Sequence, residues 1–241
     1  MASSREGLAK GEADLWDSGQ IRSEACTGVA YDGAPLSAQQ LAYWRVCVWD
    51  REGNRSEWSE PALFGIGLLR PEDWSPSTRF IGMPDNDQSS LLLRKRPTRA
   101  PQGERYLLHV NSLGYHEVYI NGKAISEAVL TPAVSQFNKR SQIVTYDVSS
   151  FLKEGDNDIV LWLGNGWYRA DLPGVVAGGP YVRAELHAIS QDGNTLICET
   201  DHTWQVRPSG YASFACSDTE LNAIHDMVHR TLEALTLGGA T

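Results

Sequence analysis

From residue 91 to residue 200 the chain is a series of short apolar segments, each closed by a turn signal. LLLRKRP opens the series, and RYLLHV, HEVYI, QIVTYDV, NDIVLWLGN, YVRAELHAI and TLICET follow. None is long enough for a helix of ordinary length. Asn121-Gly122, Gly155, Gly164 and Asp192-Gly193 punctuate them. Asn-Gly is the strongest of these signals, because both residues tolerate positive φ and so fit a tight hairpin turn. Regular short strands with turns between them predict an antiparallel β-sandwich, jelly-roll-like, over residues 77–210. No G-x-G-x-x-G or Walker pattern is present, so nucleotide binding has no support.

The first 70 residues read as a smaller sheet. LWDSGQ suggests a short strand. In YWRVCVWD, Tyr43, Arg45, Cys47 and Trp49 fall on one face and Trp44, Val46 and Val48 on the other, which is a strand pattern. Gly53-Asn54 supplies a turn. SEWSEPALFGIG then gives a second strand, with Pro61 pushing its start toward an edge. The region resembles an immunoglobulin or fibronectin III sheet that is short of strands for a closed sandwich. Residues 67–76, with two prolines, predict a linker that packs through Trp74, and MPDNDQSS reads as an exposed loop.

The last segment changes period. Ser217 and Glu220 form a capping box, and Leu221, Ile224, Val228, Leu232 and Leu235 recur at helical spacing until Gly238-Gly239. The fold class expected is therefore all-β with one C-terminal α-helix. On that helix His225 and His229 lie four apart in HDMVH. The pattern approaches a zinc pair, but Asp226 is shorter than the usual Glu base and no third ligand is evident. A solvent-facing or core-edge role is expected, with no metal.

Composition narrows the function classes. The formal net charge is −9 with no basic stripe, which excludes nucleic acid as a natural partner. The N-terminus has no apolar h-region and no apolar run reaches membrane-spanning length, so neither a signal peptide nor a membrane partner is expected. Cys26, Cys47, Cys198 and Cys216 show no metal-ligand spacing and read as free buried thiols. Eight tryptophans are unusual; core packing is expected for most, with a few left to stack on sugar rings. Among 30 acidic residues no pair stands out as a catalytic couple. The local cluster of interest is Asn165-Gly166-Trp167-Tyr168. Gly164 and Gly166 permit a tight turn that would leave Trp167 and Tyr168 at the mouth of the sheet, beside the Asn165 amide. Aromatic faces with an amide suit a sugar; the alternative is an interdomain packing corner.

LLHVNSLGYHEVYINGK, followed by SQFNKRSQIVTYDVSSFLKEGDNDIVLWLGNGWYR, resembles the N-terminal sandwich domain of bacterial α-L-rhamnosidases of glycoside hydrolase family 78. LWDSG, YWRVCVWDREGNRSEWSEPALF and GLL resemble the fibronectin-like module that often precedes it, here partial over 1–70. FACSDTELNAIHDMVHRTLEALTLGG resembles the first helix of the family's (α/α)₆ barrel, here incomplete over 213–241. The resemblance implies a parent enzyme that hydrolyses terminal α-L-rhamnosides with inversion. It places the catalytic carboxylates in the barrel, in a motif that would begin just after Gly239. The expectation is a non-catalytic N-terminal portion that binds carbohydrate or braces the barrel. A further β-domain usual in the family would fall between Tyr211 and Phe214. The implied partners are L-rhamnose or rhamnose-containing glycans, and a catalytic barrel or another chain. The resemblance leaves the compartment open. Some relatives bind rhamnose through calcium. Here Gln136 replaces the acidic residue of that stretch, which weakens a calcium site, while Asn138 and Asn165 remain polar contacts for a sugar.

Overall fold

The computed structural model describes residues 1–25, 27–83, 90–97, 103, 105–168, 173–175, 179–190 and 193–208. The expected helix over 213–241, with Ser217, Glu220, His225 and His229, lies outside the described residues, as do Cys26, Cys216 and most of the MPDNDQSS loop. The chain forms two units, Met1–Asp73 with Ile189–Asn194, and Trp74–Ala188 with Thr195–Thr241.

In the first unit a helix stands where the sequence suggested only a polar start. Helix α1 (Arg5–Lys10) begins because the Ser4 hydroxyl accepts from the Gly7 N–H at 3.0 Å. Strands β1 (Leu41–Trp44) and β2 (Ala62–Gly65) pair antiparallel. LWDSGQ is not a strand. The Leu15 and Trp16 N–H groups both donate to the Met1 carbonyl, and the Asp17 carboxylate then accepts from the Gly19 N–H at 2.9 Å, which turns the chain.

Beyond Trp44 the expected alternation continues without a regular ladder. Arg45, Cys47 and Trp49 are half-buried, whereas Val46 and Val48 are exposed. Val46 exchanges both backbone bonds with Ser59: its N–H donates to the Ser59 hydroxyl at 3.1 Å and its carbonyl accepts from the Ser59 N–H at 2.8 Å. Val48 does the same with Ser56, at 3.0 and 2.9 Å. The valines are two apart and the serines three, so the second chain carries one extra residue, as in a bulge. Trp58 sits in that excess, with the Arg45 guanidinium 4.6 Å and the Arg55 guanidinium 5.5 Å from its ring centre. The tryptophans as a group depart from expectation. Only Trp74 and Trp204 are buried, while Trp44, Trp58, Trp162 and Trp167 are exposed. Trp58 shows the reason: cations can shield an indole face without burying it.

The second unit is a sandwich. One sheet runs β11 (Gly193–Glu199), β10 (Tyr181–Ser190), β5 (Arg105–Leu113), β8 (Ile143–Asp147), with β3 (Ile81–Gly82) also on β10. The other runs β12 (Gln205–Pro208), β4 (Leu91–Lys95), β9 (Ile159–Gly164), β6 (Tyr115–Ile120), β7 (Lys123–Ala124). Period-two alternation sends Leu108, Val110, Val182, Ala184 and Leu186 inward from the first sheet. Leu91, Leu93, Val118, Ile120, Ile159, Leu161 and Leu163 face them from the second. Cys198 is buried among them as a free thiol, pushed up to about 12 by burial, and Cys47 is free and half-buried. Among the described residues no helix is long and apolar enough to cross a membrane.

Two motif asparagines are structural. Asn121 and Gly122, with φ of 52° and 78°, make the β6–β7 turn. The Asn121 amide donates to the Phe151 carbonyl and to Asn157 Oδ1, each at 2.9 Å, and Asn121 Oδ1 accepts from the Asp158 N–H at 3.1 Å. Asn157, buried, also accepts from the Lys153 N–H at 2.9 Å and donates to the Lys153 and Gly155 carbonyls. Removing one amide leaves several part-buried groups without their partner at once. Asn157→Ala is expected to destabilise the sandwich by about 2–4 kcal/mol. Urea unfolding checks this, and a loss below about 0.5 kcal/mol contradicts it.

Candidate functional site

At the end of the sandwich where β5 turns into β6, the chain forms a narrow, shallow cleft, partly open to solvent. Ser112, Gly114 and Tyr115 line it from that turn, Pro132 to Ser135 and Phe137 from the following loop, and Ser141 and Gln142 from the approach to β8. Trp167 closes one side and is 54% exposed. Its walls are mostly apolar, with hydroxyls and one amide between them.

Three sets of bonds hold the walls. The His116 N–H donates to the Thr131 carbonyl at 2.7 Å, which fixes the loop entering Pro132. Buried Asn111 donates to the Ser141 hydroxyl at 2.9 Å and to the Gln142 carbonyl at 3.0 Å. Within the loop the Gln136 carbonyl accepts from the Lys139 and Arg140 N–H groups. Behind the turn, Ser112 Oγ lies 3.0 Å from the Gly114 carbonyl and 2.7 Å from His116 Nδ1, and His116 Nε2 lies 2.9 Å from the Tyr146 hydroxyl.

The four residues singled out by sequence separate here. Trp167 lines the cleft. Asn138 is exposed next to Phe137, and its backbone packs against Gly174, but its side chain is not part of the wall. Asn165 and Tyr168 are buried. Tyr168 meets Phe137 edge-on at 5.2 Å and Tyr181 at 6.4 Å between ring centres, so it supports the cleft from behind. Sequence reasoning passed over Ser112, Tyr115, Pro132, Phe137 and Gln142. Local pattern carried one usable signal: Leu108-Val110-Ser112 and His116-Val118-Ile120 each put a polar residue on an otherwise apolar face.

A neighbouring open depression is lined by Val134, Ser135, Gln136, Arg140 and Gln142. Neutral amides, a hydroxyl and a guanidinium do not fit a calcium ion, which takes anionic oxygens. Among the described residues no group of three or more His, Cys, Asp or Glu side chains is placed to hold a metal.

A second polar cluster lies on the other face of the first sheet. Burial works to raise the Glu185 carboxyl, but hydrogen bonds from His187, Thr78 and the Ser75 N–H prevail and hold it below the usual range. A carboxylate so occupied pins residues 75–78 to β10, and it is the reverse of the raised acid that glycoside cleavage needs.

Comparison with known proteins decides the family. The sequence pattern of the α-L-rhamnosidase N-terminal domain matches residues 102–219, and that of the Rha78A-like N-terminal immunoglobulin domain matches residues 2–70. The chain carries N-terminal domains of the α-L-rhamnosidase family. An α-L-rhamnosidase of Formosa agariphila is 30% identical over 238 residues, covering 85% of this chain and 25% of that protein. One from Alteromonas sp. is 32% identical over 231 residues, covering 89% and 25%. The solved α-L-rhamnosidase of Dictyoglumus thermophilum superposes with a TM-score of 0.73 at 25% identity, over 86% of this chain and 25% of that one. The chain thus spans about a quarter of the length of the curated relatives it matches. The match to the N-terminal sandwich domain spans the β5–β6 turn, the loop to Gln142 and the Trp167 corner.

Two buried histidines, His109 and His116, are expected to make the sandwich acid-sensitive. His116 is pushed down to about 4 by burial. His109 is also pushed down to about 4, by burial and by His187, with Glu185 opposing. In the unfolded chain both return toward 6.5. Between those values the unfolded chain binds protons that the folded one refuses, so stability falls as pH drops from 6.5 toward 4 and is level above 6.5. The slope approaches about 1.4 kcal/mol per pH unit for each histidine. Urea midpoints at pH 7, 5.5 and 4.5 are expected to fall in that order, and His109→Gln is expected to flatten the decline. An unchanged decline in that variant contradicts the assignment.

Proposed function

We propose that this chain is a non-catalytic N-terminal portion of an α-L-rhamnosidase-type glycoside hydrolase and that its sandwich holds a rhamnose-containing glycan in the Trp167 cleft. One observation carries the reading: a half-exposed indole stands over a cleft with Tyr115, Pro132 and Phe137 on its walls and Ser135, Ser141 and Gln142 between them. A 6-deoxyhexose such as L-rhamnose has the matching chemistry, with a methyl group and C–H faces for the aromatic walls and hydroxyls for the polar groups. The names of the relatives point to the same sugar. The ligand is neutral, so the acidic character of the chain does not oppose it.

A bracing role is the second reading. The burial of Asn165 and Tyr168 favours it, since half of the sequence-selected residues serve packing.

Titration calorimetry or ligand-observed NMR with L-rhamnose separates the two. Binding is expected to be weak, with a Kd on the order of millimolar, and to be lost in Trp167→Ala. Equal behaviour of the two proteins overturns the binding reading and leaves the bracing one. With an aryl α-L-rhamnoside no p-nitrophenol release above background is expected, and measurable turnover overturns the non-catalytic assignment.

A further inference from the structure

We propose that Tyr146, His116 and Ser112 form a hydrogen-bond relay of fixed direction that positions the floor of the cleft and, through it, Trp167. The proposal rests on the reading of the cleft as a ligand site, but its geometry stands apart from any ligand.

The direction follows from counting protons. The Ser112 hydroxyl has one hydrogen and lies within bonding distance of two groups, the Gly114 carbonyl at 3.0 Å and His116 Nδ1 at 2.7 Å. The carbonyl can only accept, so three bonds form together in a single arrangement. Ser112 donates to Gly114, His116 Nδ1–H donates to Ser112 Oγ, and the Tyr146 hydroxyl donates to His116 Nε2. The opposite direction, with Ser112 donating to Nδ1, forgoes the carbonyl bond. Buried polar groups favour the fuller set. Burial keeps the imidazole neutral and the phenol protonated at neutral pH, which the relay requires. Ser112 is then no activated nucleophile, because the imidazole nitrogen facing it carries a proton.

The relay reaches the cleft through two close approaches. Tyr146 on β8, Ser112 on β5 and His116 on β6 all point into the sandwich, and the relay ends on the Gly114 carbonyl, in the turn itself. Gly114, with φ of 114°, packs so tightly that a β-carbon there would strike the Gly164 carbonyl and come within 3.2 Å of the Asn165 carbonyl. A β-carbon on Gly166 would come within 2.6 Å of the Tyr115 ring. The β5–β6 turn and the Gly164–Trp167 corner therefore move together, and the group that fixes one fixes the other.

The test uses the full chain and long-range ¹H–¹⁵N correlation NMR at neutral pH. His116 is expected as the Nδ1–H tautomer, the minor form of free imidazole; an Nε2–H tautomer overturns the relay. In Tyr146→Phe the Trp167 indole N–H resonance is expected to shift. Amide exchange at Gly114 and Tyr115 should quicken roughly tenfold, the equivalent of one net hydrogen bond. L-rhamnose affinity is expected to fall severalfold. His109→Gln, on the opposite face of the same sheet, is expected to move none of these. If Tyr146→Phe leaves the indole resonance and both amides unchanged, the relay positions nothing. Should the wild type bind no rhamnose, the cleft reading fails, while the tautomer and exchange measurements still decide the relay. They decide it equally if Tyr146→Phe does not fold, because the tautomer is read on the wild type.

Discussion

The turn after β5 and the corner after β9 meet where neither side has room for a β-carbon. Gly114 lies against the Gly164 carbonyl and Gly166 against the Tyr115 ring. Close-packed protein interiors respond to displacement as units, so this contact makes one body of two segments some fifty residues apart in sequence. Trp167 is carried on one of them and Tyr115 on the other. The separation between the backbone segments that carry the two aromatic walls is thus set by the glycines.

The inner face of the sandwich is apolar along most of its length, and polar at the end that supports the cleft. Leu108 and Val110 give way to Ser112, and Ile120 and Val118 to His116. Burying such groups costs stability unless each finds a partner. Here the partners are one another, Tyr146 and the Gly114 carbonyl. Glu185 and His187 answer the same requirement differently on the outer face, where the carboxylate is saturated by an imidazole, a hydroxyl and a backbone N–H. One cluster shapes a turn and the other fastens a segment.

Strands were legible wherever alternation was long and ended in a turn signal, as in YVRAELHAI and the Asn121-Gly122 hairpin. They were less legible where the period-two signal was brief. β3, β7 and β12 are two to four residues long and owe their existence to a neighbouring edge. The polar N-terminus concealed a helix because six residues show no period and only Ser4 marks it. Trp167 could be found from its glycines. Ser112 was marked only as a polar residue on an apolar face, and Pro132, Phe137 and Gln142 were not marked at all, because they converge through strand pairing and not through spacing. Tyr168 shows the limit of local reading. Adjacent aromatics at a tight turn face opposite ways, and sequence does not say which faces water.

The pairing of Val46 and Val48 with two serines has a consequence for the protein's behaviour among its neighbours. A strand that ends its regular ladder early ordinarily offers unpaired N–H and C=O groups to any passing chain. Here Ser56 and Ser59 engage those groups with hydroxyls as well as backbone, and the partner carries one extra residue, as bulged strands do. The Arg45 and Arg55 guanidiniums then lie over the exposed Trp58 ring. The segment keeps the apolar alternation of an aggregation-prone strand, yet its edge groups already carry hydrogen bonds and its exposed indole already carries two cations, so fewer free groups are offered to a passing chain.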